Sequence, residues 1–319
     1  MDAGGGSAAP ASRRARAAAG VGYAAAAYLT WGLFPLYFHA LHGVPAPEIL
    51  AHRILWSALF VSLLVTALRR WGEVRAELRA PGTLLRLAAS ASFISANWLV
   101  YIWAVNSGHV LEASLGYFVN PLVTVLLGVV FLREPLSVRQ RFAVGLTAAG
   151  VVALVVRAHR FPWVALALAV TFGMYGLIRK RVRVGALAGL LGEVAILAPL
   201  ALAFLAMLGH ANRFGSAPST TALLAASGAV TAIPLIWFAL GVQRLRLSTI
   251  GLLQYINPTV QFAMAVFVFG EPFTAAHAVT FGCIWTSLAI YTAETVTRAR
   301  REERGEQAVP SGDEAGERA

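Results

Sequence analysis

The chain alternates between long apolar segments and short polar connections. Each apolar segment approaches the length of about 20 residues that a helix needs to cross the hydrocarbon core of a bilayer. The predicted spans are residues 20–41, 48–68, 83–105, 109–132, 138–156, 161–178, 185–209, 220–242, 247–269 and 274–293. Most connections are only a few residues long, so we expect neighbouring helices to be antiparallel. The pattern predicts an all-α polytopic membrane protein with ten transmembrane helices.

Polar residues concentrate at the two ends of the chain. Residues 1–19 are rich in Gly, Ala, Ser and Arg, and residues 295–319 are rich in Arg and Glu. Both compositions predict disordered tails. Basic residues followed by an apolar run also resemble a signal peptide. However, the run from Gly20 to Leu41 is long enough to cross a bilayer, so we interpret it as a retained first helix.

Basic residues occur mainly on alternate connections. Of the 26 Lys and Arg residues, 21 lie in the two tails and in the connections 69–82, 133–141, 179–184 and 243–246. The opposite connections hold only Arg157, Arg160 and Arg213. The positive-inside rule therefore predicts that both termini are cytoplasmic. One span more or fewer in the middle would destroy this bias, so the bias also favours ten spans.

Composition narrows the class of protein further. Hydrophobic residues make up 58% of the chain and charged residues 13%, against about 25% charged in a soluble domain. The net charge of +11 does not indicate nucleic-acid binding, because the arginines form short runs between apolar segments. Cys283 is the only cysteine, which excludes internal disulfides and Cys-rich metal sites. Neither HExxH nor GxxxxGK[ST] occurs, so we expect no zinc, no cofactor and no ATP-driven transport by this chain.

One sequence feature occurs twice. The stretches NPLVTVLLGVVFLREP (120–135) and NPTVQFAMAVFVFGEP (257–272) are separated by 137 positions. At that offset, residues 97–153 match 234–290 at nine of 57 positions without gaps. The offset spans five predicted helices, and because five is odd, equivalent helices run in opposite directions. We therefore predict two inverted five-helix repeats, 20–157 and 158–294, an arrangement typical of secondary transporters.

These motifs resemble a known family. Two five-helix repeats, each closing with Asn-Pro, ten apolar residues and Glu-Pro, are similar to the EamA-type drug/metabolite transporter superfamily. EILAHRILWS (48–57), NWLVYIWAVN (97–106), LEASLGYFVNPL (111–122) and RLRLSTIGLLQYINPT (244–259) resemble its RarD branch, described as chloramphenicol-sensitivity proteins. The resemblance implies a ten-helix permease of the bacterial inner membrane for small metabolites or drugs. It does not define the substrate.

Two asparagines are the first candidates for a substrate site. Asn120 and Asn257 lie near the centres of their predicted spans, each directly before a proline. Proline has no N–H and disturbs the carbonyl four residues back, here at Tyr117 or Gln254. A kink with freed carbonyls beside an amide predicts the wall of a polar cavity. The alternative is that each asparagine only hydrogen-bonds across a helix interface.

Neighbouring polar and aromatic residues extend this candidate site. Tyr117 and Asn120 are three residues apart and share a helix face, as do Gln254 and Asn257. Such a face suits a substrate with an aromatic or amide portion, although aromatic residues at this spacing also occur in packed cores. The further candidate substrate-binding residues are Tyr255, Asn97 and Tyr101.

Ionisable residues within the spans are candidates for binding and coupling. Arg53 lies about 8 Å deep by helix rise, so it either binds substrate or snorkels to the surface. Glu193 lies about 12 Å deep with no basic residue in its span, which suits a proton carrier. Glu112 and His52 are further coupling candidates. We do not expect Arg53 and Glu193 to form an ion pair.

The predicted function is secondary transport of a small molecule by alternating access, in the direction of efflux and with proton coupling. A flippase for a lipid-linked metabolite is the alternative. An intramembrane enzyme would need a nucleophile–base pair, two close carboxylates or a metal cluster, which these scattered residues do not supply. Glu134 and Glu271 precede prolines and are predicted to start the fifth and tenth helices. The expected partners are the bilayer and a small-molecule substrate, without nucleic acid, in a monomer or weak homodimer.

Overall fold

The computed structural model describes residues 10–132, 138–158, 161–182, 184–242, 244–245 and 253–307. Within these ranges the secondary structure is helical and contains no strand. The helices are α1 Pro10–Gly32, α2 Phe34–His39, α3 Ala46–Ala67, α4 Trp71–Arg79, α5 Thr83–Asn106, α6 Val110–Leu132, α7 Val138–Ala158, α8 Trp163–Arg181, α9 Ala186–Leu208, α10 Pro218–Val242, α11 Ile256–Ala263 and α12 Ala275–Gln307. A 3₁₀ turn, Gly209–Ala211, follows α9, and a π-helical turn, Met264–Val268, follows α11.

The outer surface of the helices is apolar. Leu85 is 78% exposed, Met207 87% and Phe267 81%. In the ranges that the structure describes, four segments are long and apolar enough to cross a bilayer: Ala46–Ala67, Thr83–Asn106, Ala186–Ala211 and Pro218–Phe238. Large apolar side chains at this density on a surface fit lipid rather than water. The chain is therefore a multi-pass membrane protein.

The first predicted span is broken near its middle. Helix α1 ends at Gly32, Leu33 forms a turn, and α2 begins at Phe34 with Pro35 in its first turn. Proline is favoured there because its missing N–H falls where the helix has no acceptor for it. The break gives α2 its own direction, and α2 carries Phe34, Tyr37 and Phe38 towards the interior.

The ninth predicted span also differs from the expectation. Asn257 and Pro258 lie in the first turn of α11, not at the centre of a long helix. The carbonyl of Gln254 accepts a hydrogen bond from the Asn257 N–H at 3.3 Å, so it is not freed. The predicted free carbonyl at Gln254 is therefore wrong, and a turn at Gln254 and Tyr255 precedes α11. Residues 246–252 lie outside the described ranges.

Several segments predicted as tails or loops are helical. Helix α1 begins at Pro10 and α12 continues to Gln307, so helix extends into both segments that were predicted as tails. Helix α4 occupies most of the connection 69–82, and α8 continues through Arg179 to Arg181.

Helix α3 is central in the packing. It contacts α5, α9 and α10, whereas α8 packs on α5 and α6, and α12 packs on α7. The contact between α3 and α10 is close enough to need a glycine. A Cβ on Gly228 would lie 2.3 Å from the carbonyl oxygen of Trp56 and 3.0 Å from the backbone nitrogen of Ser57.

We expect Gly228→Ala to lower the thermal midpoint of the purified protein, because the backbones of α3 and α10 must separate to admit the methyl group. Overpacking of this kind typically costs about 1–3 kcal/mol. Gly145→Ala is the matched control, since a Cβ on Gly145 in α7 meets nothing within 4 Å. The midpoints are measured by a thermal-shift assay in detergent. Equal midpoints for the two variants would contradict the proposed close contact.

Candidate functional site

Arg53 is enclosed in the interior. Its side chain is 5% exposed, and its Nε donates a hydrogen bond to Oγ1 of Thr231 on α10 at 2.8 Å. The guanidinium carbon lies 4.0 Å from the ring centroid of Trp98 and 5.7 Å from those of Phe34 and Phe38. Cation–π contacts of this kind are strongest when the pair is desolvated. The structure therefore contradicts the snorkelling alternative.

No acidic side chain within the described ranges lies at ion-pair distance from Arg53. Burying a charge is costly unless the charge is paired and hydrogen-bonded. Among the described residues, the groups that compensate this cation are the Thr231 hydroxyl and the faces of aromatic rings. The site therefore holds an excess positive charge in an apolar environment.

Three tyrosines lie close enough to Arg53 to interact with it electrostatically: Tyr37, Tyr101 and Tyr117. The Tyr37 hydroxyl donates to the carbonyl oxygen of Leu223 at 2.6 Å. The Tyr101 hydroxyl is buried and has no hydrogen-bond partner in the part of the chain that the structure describes. The Tyr101 and Tyr117 rings contact each other edge-on at 5.7 Å between centroids. We call Arg53, Trp98, Tyr101, Tyr117 and Thr231 the Arg53 site.

Asn97 holds one wall of the Arg53 site in place. Its Nδ2 donates to the carbonyl oxygen of Leu168 and to Oγ1 of Thr171 on α8, both at 2.9 Å. Its Oδ1 accepts a long hydrogen bond of 3.4 Å from the Tyr117 hydroxyl. The amide predicted to bind substrate therefore joins α5 to α8 and positions Tyr117.

The other predicted substrate-binding residues have no recorded contact with Arg53. Oδ1 of Asn257 accepts from Nε2 of Gln261 at 2.8 Å, and Gln261 is almost fully buried between α11 and α1. Oδ1 of Asn120 is buried without a hydrogen-bond partner among the described residues. Gln254 and Tyr255 lie in the turn before α11.

Glu193 forms a second polar cluster. Its Oε1 accepts a hydrogen bond from Oγ of Ser90 at 2.6 Å and lies 3.7 Å from Nε of Arg179. The span of Glu193 contains no basic residue, as predicted, but Arg179 from outside that span lies at ion-pair distance. Helix α8 extends far enough to bring Arg179 to α9. Gly189, one turn before Glu193, makes room for it, since a Cβ there would lie 2.0 Å from Nη1 of Arg179.

The two remaining coupling candidates lie apart from Glu193. His52 stacks on Phe214 at 5.1 Å between ring centroids, and its Nε2 lies 3.4 Å from Oδ1 of Asn212. Glu112 lies in the first turn of α6 and close enough to Glu271 for the two charges to interact. The three candidates therefore do not form one relay.

Glu271 caps a different helix from the one predicted. Its two carboxylate oxygens accept from the backbone N–H groups of Val110 at 2.7 Å and Leu111 at 2.8 Å, at the start of α6. It was predicted to start the helix that follows it in sequence, which is α12. A carboxylate is stabilised at the positive end of a helix dipole, and here that end belongs to α6. Glu134 lies outside the described residues.

We expect the capping role of Glu271 to depend on pH. Burial raises the pKa of this carboxyl group, partly offset by the hydrogen bonds from Leu111 and Val110. A raised folded-state pKa means that the folded protein binds the proton more tightly. Stability therefore falls as pH rises from the ordinary value of 4.5 through the folded-state pKa. In thermal-shift assays, the advantage of wild type over Glu271→Gln should shrink across that window. A constant or widening difference would refute this interpretation.

Sequence reasoning missed several residues that complete these clusters: Trp98, Thr231, Ser90, Arg179 and Glu48. Hydroxyl residues are common in apolar helices, so neither Thr231 nor Ser90 gives a distinctive signal. Trp98 gives no distinctive signal either, because tryptophan occurs both at membrane interfaces and in packed cores. Glu48 is fully buried and accepts a hydrogen bond from the Arg213 backbone N–H, although it begins a predicted span. Within the described ranges, no cluster of three His, Cys, Asp or Glu residues suits a metal ion.

Comparison with known proteins agrees with the sequence resemblance. Residues 18–156 match the EamA-like transporter family. The chain is 46% identical to "Uncharacterized transporter YojE" of Bacillus subtilis over 86% of its own length and 93% of that protein. It is 43% identical to "Protein RarD" of Escherichia coli, covering 88% and 96% of the two chains. It is 33% identical to "Chloramphenicol-sensitive protein RarD" of Pseudomonas aeruginosa, covering 89% and 97%.

A solved crystal structure of a protein shares the fold. It aligns with a TM-score of 0.55 at 21% sequence identity, covering 86% of this chain and 96% of the other. At this identity the likeness concerns the fold alone. The sequence matches to the YojE transporter and to RarD extend over nearly the whole of those chains. These matches define the family. The chain belongs to the EamA-like transporter family and is a membrane transporter related to the RarD proteins.

Proposed function

We propose that the protein is a secondary transporter that moves small metabolites or drugs by alternating access, in the direction of efflux. The observation that carries this proposal is the Arg53 site. Its residues come from α3, α5 and α6 of the first predicted repeat and from α10 of the second. A buried polar site between two repeats is the feature around which such transporters alternate.

The packing of the helices supports the two inverted repeats. In the proposed equivalence, the long helices of the two repeats correspond in chain order: α1 to α8, α3 to α9, α5 to α10, α6 to α11, and α7 to α12. Exchanging equivalent helices turns the contact α1–α10 into α8–α5, α6–α8 into α11–α1, and α3–α10 into α9–α5. Both members of each pair of contacts are present. The contacts α3–α9, α6–α11 and α7–α12 map onto themselves and are also present.

The polar clusters follow the same equivalence. Arg53 and Glu193 are each the eighth residue of their helix, α3 and α9. Arg53 bonds to Thr231 on α10, and Glu193 bonds to Ser90 on α5, which is the equivalent helix. The positive Arg53 and the negative Glu193 thus occupy equivalent positions in the two repeats. Each is hydrogen-bonded to a hydroxyl group of the other repeat. Rocking of the repeats would expose these places in turn.

Cysteine labelling tests the proposed orientation, with both termini in the cytoplasm of a bacterial cell. In a Cys283→Ala background, Gly43→Cys should react with an impermeant maleimide in intact spheroplasts. Gly72→Cys should react only after permeabilisation. A Cβ at either glycine meets nothing within 4 Å, so neither cysteine should disturb the fold. The reverse labelling pattern would overturn the orientation, and labelling of both from one side would show that α3 does not cross the membrane.

We also propose proton coupling through Glu193. Its burial, its hydrogen bond from Ser90 and its loose contact with Arg179 support a carboxyl group that exchanges a proton during transport. Glu112 and His52 are weaker candidates, because Glu112 lies beside the capping Glu271 and His52 packs against Phe214.

Reconstitution tests the transport proposal. Purified protein is first screened for thermal stabilisation by amino acids, amides and antibiotics, and the hits are tested for flux into proteoliposomes. Saturable flux that responds to a pH gradient is expected. The flippase alternative is tested by following a fluorescent lipid between leaflets of the same vesicles. Lipid movement without flux of any soluble hit would replace the proposed function by the alternative. The enclosure of Arg53 among helices favours a soluble substrate.

A further inference from the structure

We infer that the Arg53 site binds the carboxylate of a small organic acid whose apolar or aromatic part packs against the surrounding rings. This inference deepens the proposed transport function and rests on it for its biological meaning. It assigns the substrate class and names Arg53 and Tyr101 as the groups that recognise the carboxylate.

The first support is that the site offers donors without matching acceptors. A guanidinium has five N–H donors and no acceptor. Among the described residues, the recorded hydrogen bond of Arg53 uses only Nε. Tyr101 is 3% exposed, and its hydroxyl has no hydrogen-bond partner in the part of the chain that the structure describes. There the recorded hydrogen bond of the Tyr117 hydroxyl is its long contact with Asn97. A ligand that completes this site must supply hydrogen-bond acceptors.

The second support is the net positive charge of the Arg53 site. Arg53 has no acidic partner at ion-pair distance within the described chain, so the described residues give the site a net positive charge among apolar rings. An anion would neutralise this charge where the low dielectric makes the attraction strong. A cationic ligand would be repelled, and a neutral amide would leave the charge uncompensated. The site therefore selects an anion.

The third support is the geometry of the guanidinium. The Trp98 ring covers one face of the guanidinium, with 4.0 Å between the ring centroid and the guanidinium carbon. The Thr231 hydroxyl accepts the hydrogen bond from Nε. The remaining donors lie along the planar edge, which matches the two oxygens of a carboxylate. No second basic side chain contacts the site in the part of the chain described, so the site suits a single negative charge better than a phosphate dianion. The buried rings of Phe38 and Tyr101, 5.9 Å apart between centroids, make the surroundings of the site apolar and aromatic, which suits an apolar or aromatic remainder of the molecule.

The test compares matched acids and amides. Purified protein in detergent at constant pH and ionic strength is titrated with benzoate, phenylacetate and 3-phenylpropionate, their three amides, and inorganic phosphate. Binding is measured by calorimetry. At least one carboxylate should bind about tenfold or more tightly than its amide and than phosphate, as expected for a hydrogen-bonded buried charge. Arg53→Gln should abolish this preference, and Tyr101→Phe should weaken carboxylate binding several-fold.

Arg70→Gln is the control for loss of an arginine, because Arg70 pairs with Glu73 on the surface. It should bind as wild type does. If no carboxylate binds, if the amides bind equally well, if phosphate binds best, or if a folded Arg53→Gln protein keeps the preference, the inference is overturned. Its failure is distinguishable from failure of the transport proposal. Flux of a neutral compound without carboxylate binding would refute only the inference, whereas Arg53-dependent binding without any flux would refute only the transport proposal.

Discussion

Arg53→Met is expected to reduce transport in proteoliposomes by about 10- to 100-fold, the factor that corresponds to one hydrogen bond to a charged group. The same variant is expected to keep or raise the thermal midpoint of the unliganded protein. A buried cation without an acidic partner costs free energy in the folded state, and an apolar side chain of similar length removes that cost. Loss of function without loss of stability is what a ligand-binding charge predicts.

Arg70→Met is the matched control for Arg53→Met. The Arg70 guanidinium forms an ion pair with Glu73, and both side chains are at least half exposed. Exposed pairs of this kind contribute little to stability. Both transport and thermal midpoint should therefore stay close to wild type. If Arg53→Met instead lowers the thermal midpoint in proportion to transport, Arg53 is a structural residue that joins α3 to Thr231 and the rings.

Glu193→Gln is expected to abolish the stimulation of transport by a pH gradient. Glutamine has nearly the same size as glutamate and its side-chain oxygen can still accept the hydrogen bond from Ser90. It cannot bind and release a proton in the physiological range. The substitution therefore separates proton exchange from packing. Flux without a gradient should persist, so that only the response to the gradient is lost.

Two further substitutions show whether this effect is specific to Glu193. Glu73→Gln removes an exposed carboxylate and should leave the response to pH intact. Glu112→Gln tests the alternative coupling residue at the start of α6. Full pH-driven transport by Glu193→Gln would exclude Glu193 as the proton carrier. Loss of the response in Glu112→Gln alone would transfer that role to Glu112.

Hydropathy located the helices well because the free energy of transferring a segment into the membrane is close to the sum of the contributions of its residues. The span predicted at 48–68 corresponds to helix Ala46–Ala67, and the span predicted at 83–105 corresponds to Thr83–Asn106. Errors arose where local chemistry competes with hydropathy. Pro35 and Pro258 each stand in the first turn of a new helix, which a sliding average over apolar residues does not detect.

The hydrogen-bond and ion-pair partners of the buried polar residues were harder to predict than the buried polar residues themselves. Arg53, Glu193, Asn97, Tyr101 and Tyr117 were identified because polar groups are rare within apolar spans. Their partners were not identified, because those contacts join distant parts of the chain. Arg53 meets Thr231 across 178 positions, and Ser90 meets Glu193 across 103. No periodicity within one helix carries that information.

The sequence by itself determined that the chain lies in a membrane, which segments form its long helices, and which family it belongs to. These properties follow from the composition and order of residues along each segment. Only the tertiary structure decided that aromatic rings enclose Arg53, with no acidic partner among the described residues, and that Glu193 has a basic partner in Arg179. Burial and pairing depend on how α3, α8, α9 and α10 pack, because each charge is stabilised by side chains from helices other than its own.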